Sequence, residues 1–211
     1  VMGSRYDSIR DNTEPWSARG CRVLLLASYE TTLDTQLDSA LVTPIALIYL
    51  SNLLRPDAQA TFRYFAEQGV SIRVISGDNP ITVSEIATRA GIEHADRYID
   101  ATCLRTERDF AEAVRKYTVF GRVTPEQKRM LVRAFQAQGH TVAMTGDGVN
   151  DVLALKDADC GIAMASGSQA ASQVAQIVLL NSQFGAMPHI VAEGRRVINN
   201  IQRAAALFLV K

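Results

Sequence analysis

Two stretches of the chain end an apolar run in the same way, VISGDN (74–79) and AMTGDGVND (143–151). Each sets a hydroxyl residue, a glycine and an aspartate at the end of what reads as a buried strand. A donor, a pliable backbone and a hard-oxygen carboxylate then stand side by side. In the second stretch Asp147 and Asp151 lie four residues apart, with Asn150 between them. If a helix begins near Gly148, Asp151 sits one turn in from its start. Two carboxylates and an amide at a strand–helix junction suit Mg2+, which takes one or two protein carboxylates and completes its shell with phosphate and water. Ser76 and Thr145 are the matching hydroxyl donors. Gly77, Gly146 and Gly148 are expected to admit close approach of a ligand and to tolerate positive φ. Lys128, in GRVTPEQK (121–128), lies near the start of a helix opened by Pro125. A lysine there adds a point charge to the positive end of the helix, which suits a phosphoryl group.

These residues need a frame that brings strand ends together. The strand candidates are CRVLLLASYE (21–30), read as buried, then IALIYL (45–50), VSIRVIS (70–76), YTVFG (117–121), HTVAMT (140–145), GIAMA (161–165) and QIVLL (176–180). Helical patterns fall between them at 56–68, 81–90, 107–116, 125–138, 147–159, 168–173 and from about 184 to the end. Gly69, Gly91 and Gly139 stand where three of these helices stop, and Asn79–Pro80 and Thr124–Pro125 stand where two begin. The alternation predicts an α/β fold: a doubly wound, Rossmann-like parallel sheet with helices on both faces and right-handed crossovers. Ligands in such a sheet bind beyond the carboxyl ends of the strands, so Asp78 and Asp147 are expected on one rim.

Composition narrows the classes. The 211 residues carry 22 Lys+Arg against 22 Asp+Glu, so a nucleic-acid binder working through a strong basic field is not expected. The 47% hydrophobic content is enough for a real core. No run of about 18 apolar residues is present, and the first 16 residues do not read as a secretory signal. Cys21, Cys103 and Cys160 are scattered, which predicts reduced thiols in a cytosolic setting. His94, His140 and His189 are likewise scattered and read as surface or structural residues. No GxxxxGK[ST] loop and no GxGxxG is found, which argues against a P-loop NTPase and a dinucleotide site. The last stretch, GAMPHIVAEGRRVINNIQRAAALFLVK (185–211), starts amphipathic and turns wholly apolar.

TGDGVND followed by LALKDADCGIAM (153–164) resembles the hinge motif of P-type ATPases, members of the haloacid dehalogenase-like superfamily. SGDN (76–79) is similar to that family's TGDN, RVTPEQK (122–128) to its lysine-bearing segment, and NLLRPDA (52–58) to the place of its DPPR. ARGCRVLLLA (18–27) resembles the last strand of the nucleotide-binding domain, and GRRVINNIQRAAALFLVK (194–211) the stalk before a membrane helix. The resemblance implies an ATP-driven cation pump using Mg2+ and ATP, seen here as a cytoplasmic piece of a membrane protein. Residues 1–43 would close the nucleotide-binding domain, 44–193 form the later part of the phosphorylation domain, and 194–211 lead towards a membrane. Asp147 would coordinate Mg2+, with Asp151 also on the metal side and Asn150 in support. Lys128 would offset phosphoryl charge, and Ser76 would donate to a phosphoryl oxygen. Gly77, Asp78, Thr145 and Gly146 would shape the loops, and Arg22 and Arg55 would help to hold nucleotide. Asn52 stands where many members have Asp, and the phosphorylated aspartate of DKTGT is not in this chain. The isolated chain is therefore expected not to form a phosphoenzyme. A stalk of this type is loosely associated with Ca2+ pumps. The competing readings are a regulatory or scaffold module without catalysis and a soluble phosphatase of the same superfamily, the latter needing an Asp-x-Asp pair that is not present.

Overall fold

The structure, a computed structural model, describes residues 21–29, 42–51 and 53–209, together with Asp11, Thr13, Pro15, Trp16 and Arg19. Asn52 and most of the 1–20 and 31–43 stretches lie outside the described residues. The chain divides into two compact units, Val1–Leu54 with Arg73–Thr124, and Arg55–Ile72 with Pro125–Lys211.

The first unit opens with β1 (Cys21–Tyr29) and β2 (Val42–Ser51), paired antiparallel with a register shift at Leu26/Ala27. The apolar run of β1 predicts a buried strand. It is a strand, but Leu24, Leu25 and Leu26 are 43%, 38% and 49% exposed. The reason is its partner: a two-stranded ribbon has two faces, and among the described residues no layer closes over these leucines. The helix α1 (Ala58–Glu67) belongs to the second unit, and the rest of the first is β3 (Val74–Ile75), α2 (Pro80–Arg89), β4 (Tyr98–Asp100), α3 (Glu107–Lys116) and β5 (Val119–Gly121). The strands form an all-parallel sheet in the order β3-β5-β4. Val119 and Phe120 are fully enclosed, and Phe110, Val114 and Ala87 from the helices are buried too. β4 escaped the sequence reading, because three residues, RYID less its arginine, carry too little alternation to register.

The second unit holds α1, α4 (Pro125–Ala137), β6 (Ala143–Gly146), α5 (Val152–Asp157), β7 (Cys160–Met164), α6 (Gln169–Val174), β8 (Ile177–Leu179) and α7 (Met187–Leu209). Its strands are again all parallel, in the order β6-β7-β8. One core cluster joins Val132, Met144, Leu155, Ala163 and Ala171, and another joins Phe65, Ile162, Leu179 and Met187. The alternating α/β pattern with parallel strands and flanking helices is as the sequence predicts. Asp78 follows β3 in the sheet of the first unit and Asp147 follows β6 in the sheet of the second, so each loop is described within its own unit.

Helix ends follow the residues that mark them. Asn79 accepts the Ile81 amide at 2.9 Å as the N-cap of α2. Gly69, Gly91 and Gly139 have φ of +73°, +81° and +84°, the left-handed conformation that ends α1, α2 and α4. Gly77, Gly146 and Gly148 are not among the glycines with positive φ, so that part of the expectation is corrected. Among the described residues no helix is long and apolar enough to cross a membrane. The far end of α7 is nonetheless open, with Leu207, Phe208 and Leu209 at 78–85% exposure.

Candidate phosphoryl and metal site

In the second unit, β6 delivers Thr145 and Gly146 to the carboxyl edge of its sheet, and the chain then turns through a single 3-10 turn, Val149–Asp151, into α5. Asp151 is buried, and its two oxygens are both engaged. Oδ1 accepts from Lys128 Nζ at 2.6 Å. Oδ2 accepts from the amides of Gly148 at 3.1 Å and Asp147 at 3.3 Å. The side chains of Lys128 and Asp151 are 13% and 9% exposed, so this is an enclosed, charge-assisted pair. Asp151 thereby pins the loop and anchors Lys128 in one stroke. The glycine before the loop is required by this packing: a Cβ on Gly146 would stand 2.5 Å from Asp151 Cβ and 2.8 Å from its Oδ2.

Asp147 is placed differently. Its backbone is held by the Asp151 carboxylate on the amide side and by the Ser168 amide, 2.6 Å from its carbonyl oxygen. Its side chain is exposed, and among the described residues its carboxylate has no hydrogen-bond or ion-pair partner. Asn150 is exposed in the same turn. Among the described residues no three His, Cys, Asp or Glu side chains gather as a metal cage. A single free carboxylate at a strand end fits Mg2+, which commonly binds through one or two carboxylates plus substrate phosphate and water, and fits poorly a metal that needs an all-protein cage.

In the first unit, Ser76, Gly77 and Asp78 follow β3. The Asp78 amide donates to Ser76 Oγ at 3.1 Å, the Val123 amide to Ser76 O at 3.0 Å, and the Arg122 amide to Asp78 O at 2.8 Å. The loop after β5 thus laces to the loop after β3. Arg122 adopts φ of +52° to do so, and its guanidinium meets Asp100 at 2.9 Å at the end of β4. Burial pushes the Asp100 carboxyl up, but Thr102 and then Arg122 draw it down, and it rests below the ordinary range. Arg22 reaches Asp78 only at 3.7 Å, with both side chains about half exposed. Arg55, in the second unit, donates to the Ser182 carbonyl at 3.1 Å.

Sequence reasoning missed three things here. It did not find the Ala165–Ser168 turn against Asp147, although ASGS after an apolar strand is a turn signal. It did not find the Arg122–Asp100 pair, which no spacing rule links. Nor did it find Arg129 and Arg133 converging on Asp157 at 2.8 and 2.6 Å. The Arg129 hydrogen bond holds the Asp157 carboxyl below its ordinary range against the opposing push of burial, and Arg133 adds to it.

A family profile described as haloacid dehalogenase-like hydrolase matches residues 6–159. The chain belongs to the haloacid dehalogenase-like hydrolase family. Relatives of this haloacid dehalogenase-like chain carry transport names. It is 56% identical over 195 residues to the calcium-transporting ATPase CtpE of Mycobacterium bovis, covering 92% of this chain and 24% of that protein. It is 44% identical over 195 residues to the probable cation-transporting ATPase exp7 of Streptococcus pneumoniae, covering 92% and 25%. The chain therefore spans about a quarter of the length of the relatives it matches. Its fold aligns with the crystal structure of a zinc-transporting PIB-type ATPase in the E2.Pi state at a TM-score of 0.63 and 24% identity, covering 93% of this chain and 26% of the other.

Proposed function

We propose that this chain is the later part of the phosphorylation domain of an ATP-driven cation pump, on the cytoplasmic side of a membrane protein. The observation that carries this is the TGDGVND loop, in which Asp151 is spent on Lys128 and the loop amides while the Asp147 carboxylate stays open. Phosphoryl transfer asks a protein chiefly for positioning and charge stabilisation. In this reading Asp147 holds Mg2+, which supplies charge neutralisation on the phosphoryl group. Asp151 orients the loop, with Asn150 in support, and anchors the Lys128 ammonium so that its remaining donors serve the phosphoryl oxygens. Ser76 offers its hydroxyl to a phosphoryl oxygen, with Gly77 and Asp78, and likewise Thr145 and Gly146, shaping their loops. Arg22 and Arg55 help to hold ATP. Residues 1–43 close a nucleotide-binding domain, 44–193 belong to the phosphorylation domain, and 194–211 lead towards the membrane. Relatives named as calcium-transporting make Ca2+ the first cation to try.

The test is phosphoenzyme formation. The full-length protein, given labelled ATP and Mg2+, is expected to form acid-stable, hydroxylamine-sensitive label. Asp147→Ala should cut its rate of formation about a hundredfold, the scale of losing several kcal/mol of metal-based stabilisation. The 211-residue chain alone should take up none, and labelling of this chain, or an unaffected Asp147→Ala variant, would overturn the reading.

A further inference from the structure

The open Asp147 carboxylate is aimed by its own backbone, and that backbone is clasped by a turn from the next strand. The turn after β7 places Gly167 flat against Asp147: a Cβ there would collide with the Asp147 carbonyl oxygen and stand 2.9 Å from its Cα. The adjacent Ser168 amide donates to that same oxygen at 2.6 Å. Backbone bonds from the Ala165 amide to Leu179 O at 3.1 Å and from the Gly167 amide to Met164 O at 3.0 Å shape the turn, and the side chain that ties it from outside is Ser182, in the loop after β8. Its hydroxyl accepts the Ser166 amide at 2.8 Å. Ser182 does this from a φ of +52°, a left-handed conformation that costs a non-glycine residue of this kind stability. Two further bonds hold it there: its amide donates to Leu179 O at 2.9 Å, and Arg55 donates to its carbonyl at 3.1 Å. A strained residue held at both backbone groups, with its hydroxyl spent on the neighbouring loop, is what a fixed relay requires.

We infer that Ser182 is a positioning residue for the Mg2+ carboxylate: through the Ser166 amide it fixes the Ala165–Ser168 turn, and through Ser168 and Gly167 that turn sets the Asp147 backbone. The inference rests on the reading of Asp147 as the Mg2+ ligand. Ser182 touches neither metal nor phosphate itself. Its loss acts by letting the Asp147 peptide tilt, so it changes affinity for the ion rather than the ion's identity. The effect is of the kind seen when outer supports of metal ligands are removed.

Mg2+ alone is titrated into the chain while the amide resonances of Asp147 and Gly148 are followed, and the melting temperature is measured in parallel. Ser182→Gly keeps the left-handed backbone without strain and removes the CH2OH side chain, hydroxyl included. It is expected to weaken Mg2+ binding roughly tenfold with no loss of melting temperature. Ser182→Asn, which also tolerates that backbone and restores an acceptor oxygen, is expected to recover affinity. Wild-type affinity in Ser182→Gly, when Asp147→Ala has lost binding, overturns the inference and leaves the Asp147 reading intact. Wild-type affinity in Asp147→Ala overturns both. If Ser182→Gly lowers the melting temperature as well, Ser182→Asn decides: recovery of stability without recovery of affinity reduces Ser182 to a structural role and sinks the proposal.

Discussion

The loops SGDN and TGDGVND read as near-copies, yet they are wired in opposite ways. In the first unit the polar side chains serve their own loop and the next helix: Ser76 holds the Asp78 amide, and Asn79 caps α2. Asp78 is left half exposed, with Arg22 at 3.7 Å. In the second unit the decisive residue comes four positions after the first aspartate. Asp151 turns back, takes two loop amides and locks Lys128 from a different helix at 2.6 Å. The lesson is that the strand–hydroxyl–Gly–Asp signature fixes where a loop sits, while the residues just beyond it decide whether the loop is rigid and charged or open and loosely paired.

The sharpest way to break this contrast is Asp151→Ala. Removing one partner of an enclosed ion pair strands the other charge, and two loop amides lose their acceptor as well. We expect a loss of about 3 kcal/mol in urea unfolding, towards the lower end of what such removals cost because Lys128 retains some exposure. The matching change in the first unit, Asp78→Ala, should be nearly silent. Equal losses in the two variants would erase the distinction drawn between the loops.

Glycines give the next test. Gly146→Ala drives a methyl into Asp151 and should cost about 1–3 kcal/mol, as overpacking does. Gly77→Ala meets nothing nearer than the Val123 carbonyl oxygen at 3.8 Å, and Gly77 has no positive φ to protect. Its stability should stay within about 0.5 kcal/mol of the parent. Sequence alone treats these two glycines alike, as pliable backbone near a ligand. The structure separates them by what lies one side chain away.

That is also where legibility in the sequence ended more generally. Helix stops at Gly69, Gly91 and Gly139 and the cap at Asn79 were readable because each is a local demand on φ or on one amide. Alternating apolar runs were readable as strands, and the motif around Asp147 was readable as a loop at a strand end. Burial of β1 was not, since an apolar run says nothing about how many layers cover it. The Lys128–Asp151 pair spans 23 residues, and the Ser182–Ser166 tie links two loops through a hydroxyl. Such contacts are set by sheet order, which no short window of sequence contains. The sequence places Asp151 on the metal side, and the contacts that both its oxygens make within the protein lie beyond what the motif shows.

A smaller effect is expected from Asn79→Ala. Its side chain satisfies one of the free amides at the start of α2, and loss of such a cap costs about 1 kcal/mol. The TGDGVND loop has no side-chain cap of this kind to lose, because Gly148 precedes its turn and the Asp151 carboxylate supplies the acceptor instead.

The smallest effect is the most pointed for the comparison. Arg22→Ala removes the guanidinium facing Asp78, an interaction at 3.7 Å between side chains 61% and 48% exposed. Exposed pairs of this kind are screened by solvent and salt, so unfolding free energy should move by less than about 0.5 kcal/mol. Whatever small change appears should shrink further as ionic strength rises past about 0.15 M. The Lys128–Asp151 pair, enclosed by its unit, should keep its contribution over the same salt range. A salt-insensitive loss on Arg22→Ala comparable to that of Asp151→Ala would mean that the Asp78 loop is held electrostatically after all, and that the two loops differ in geometry but not in how charge secures them.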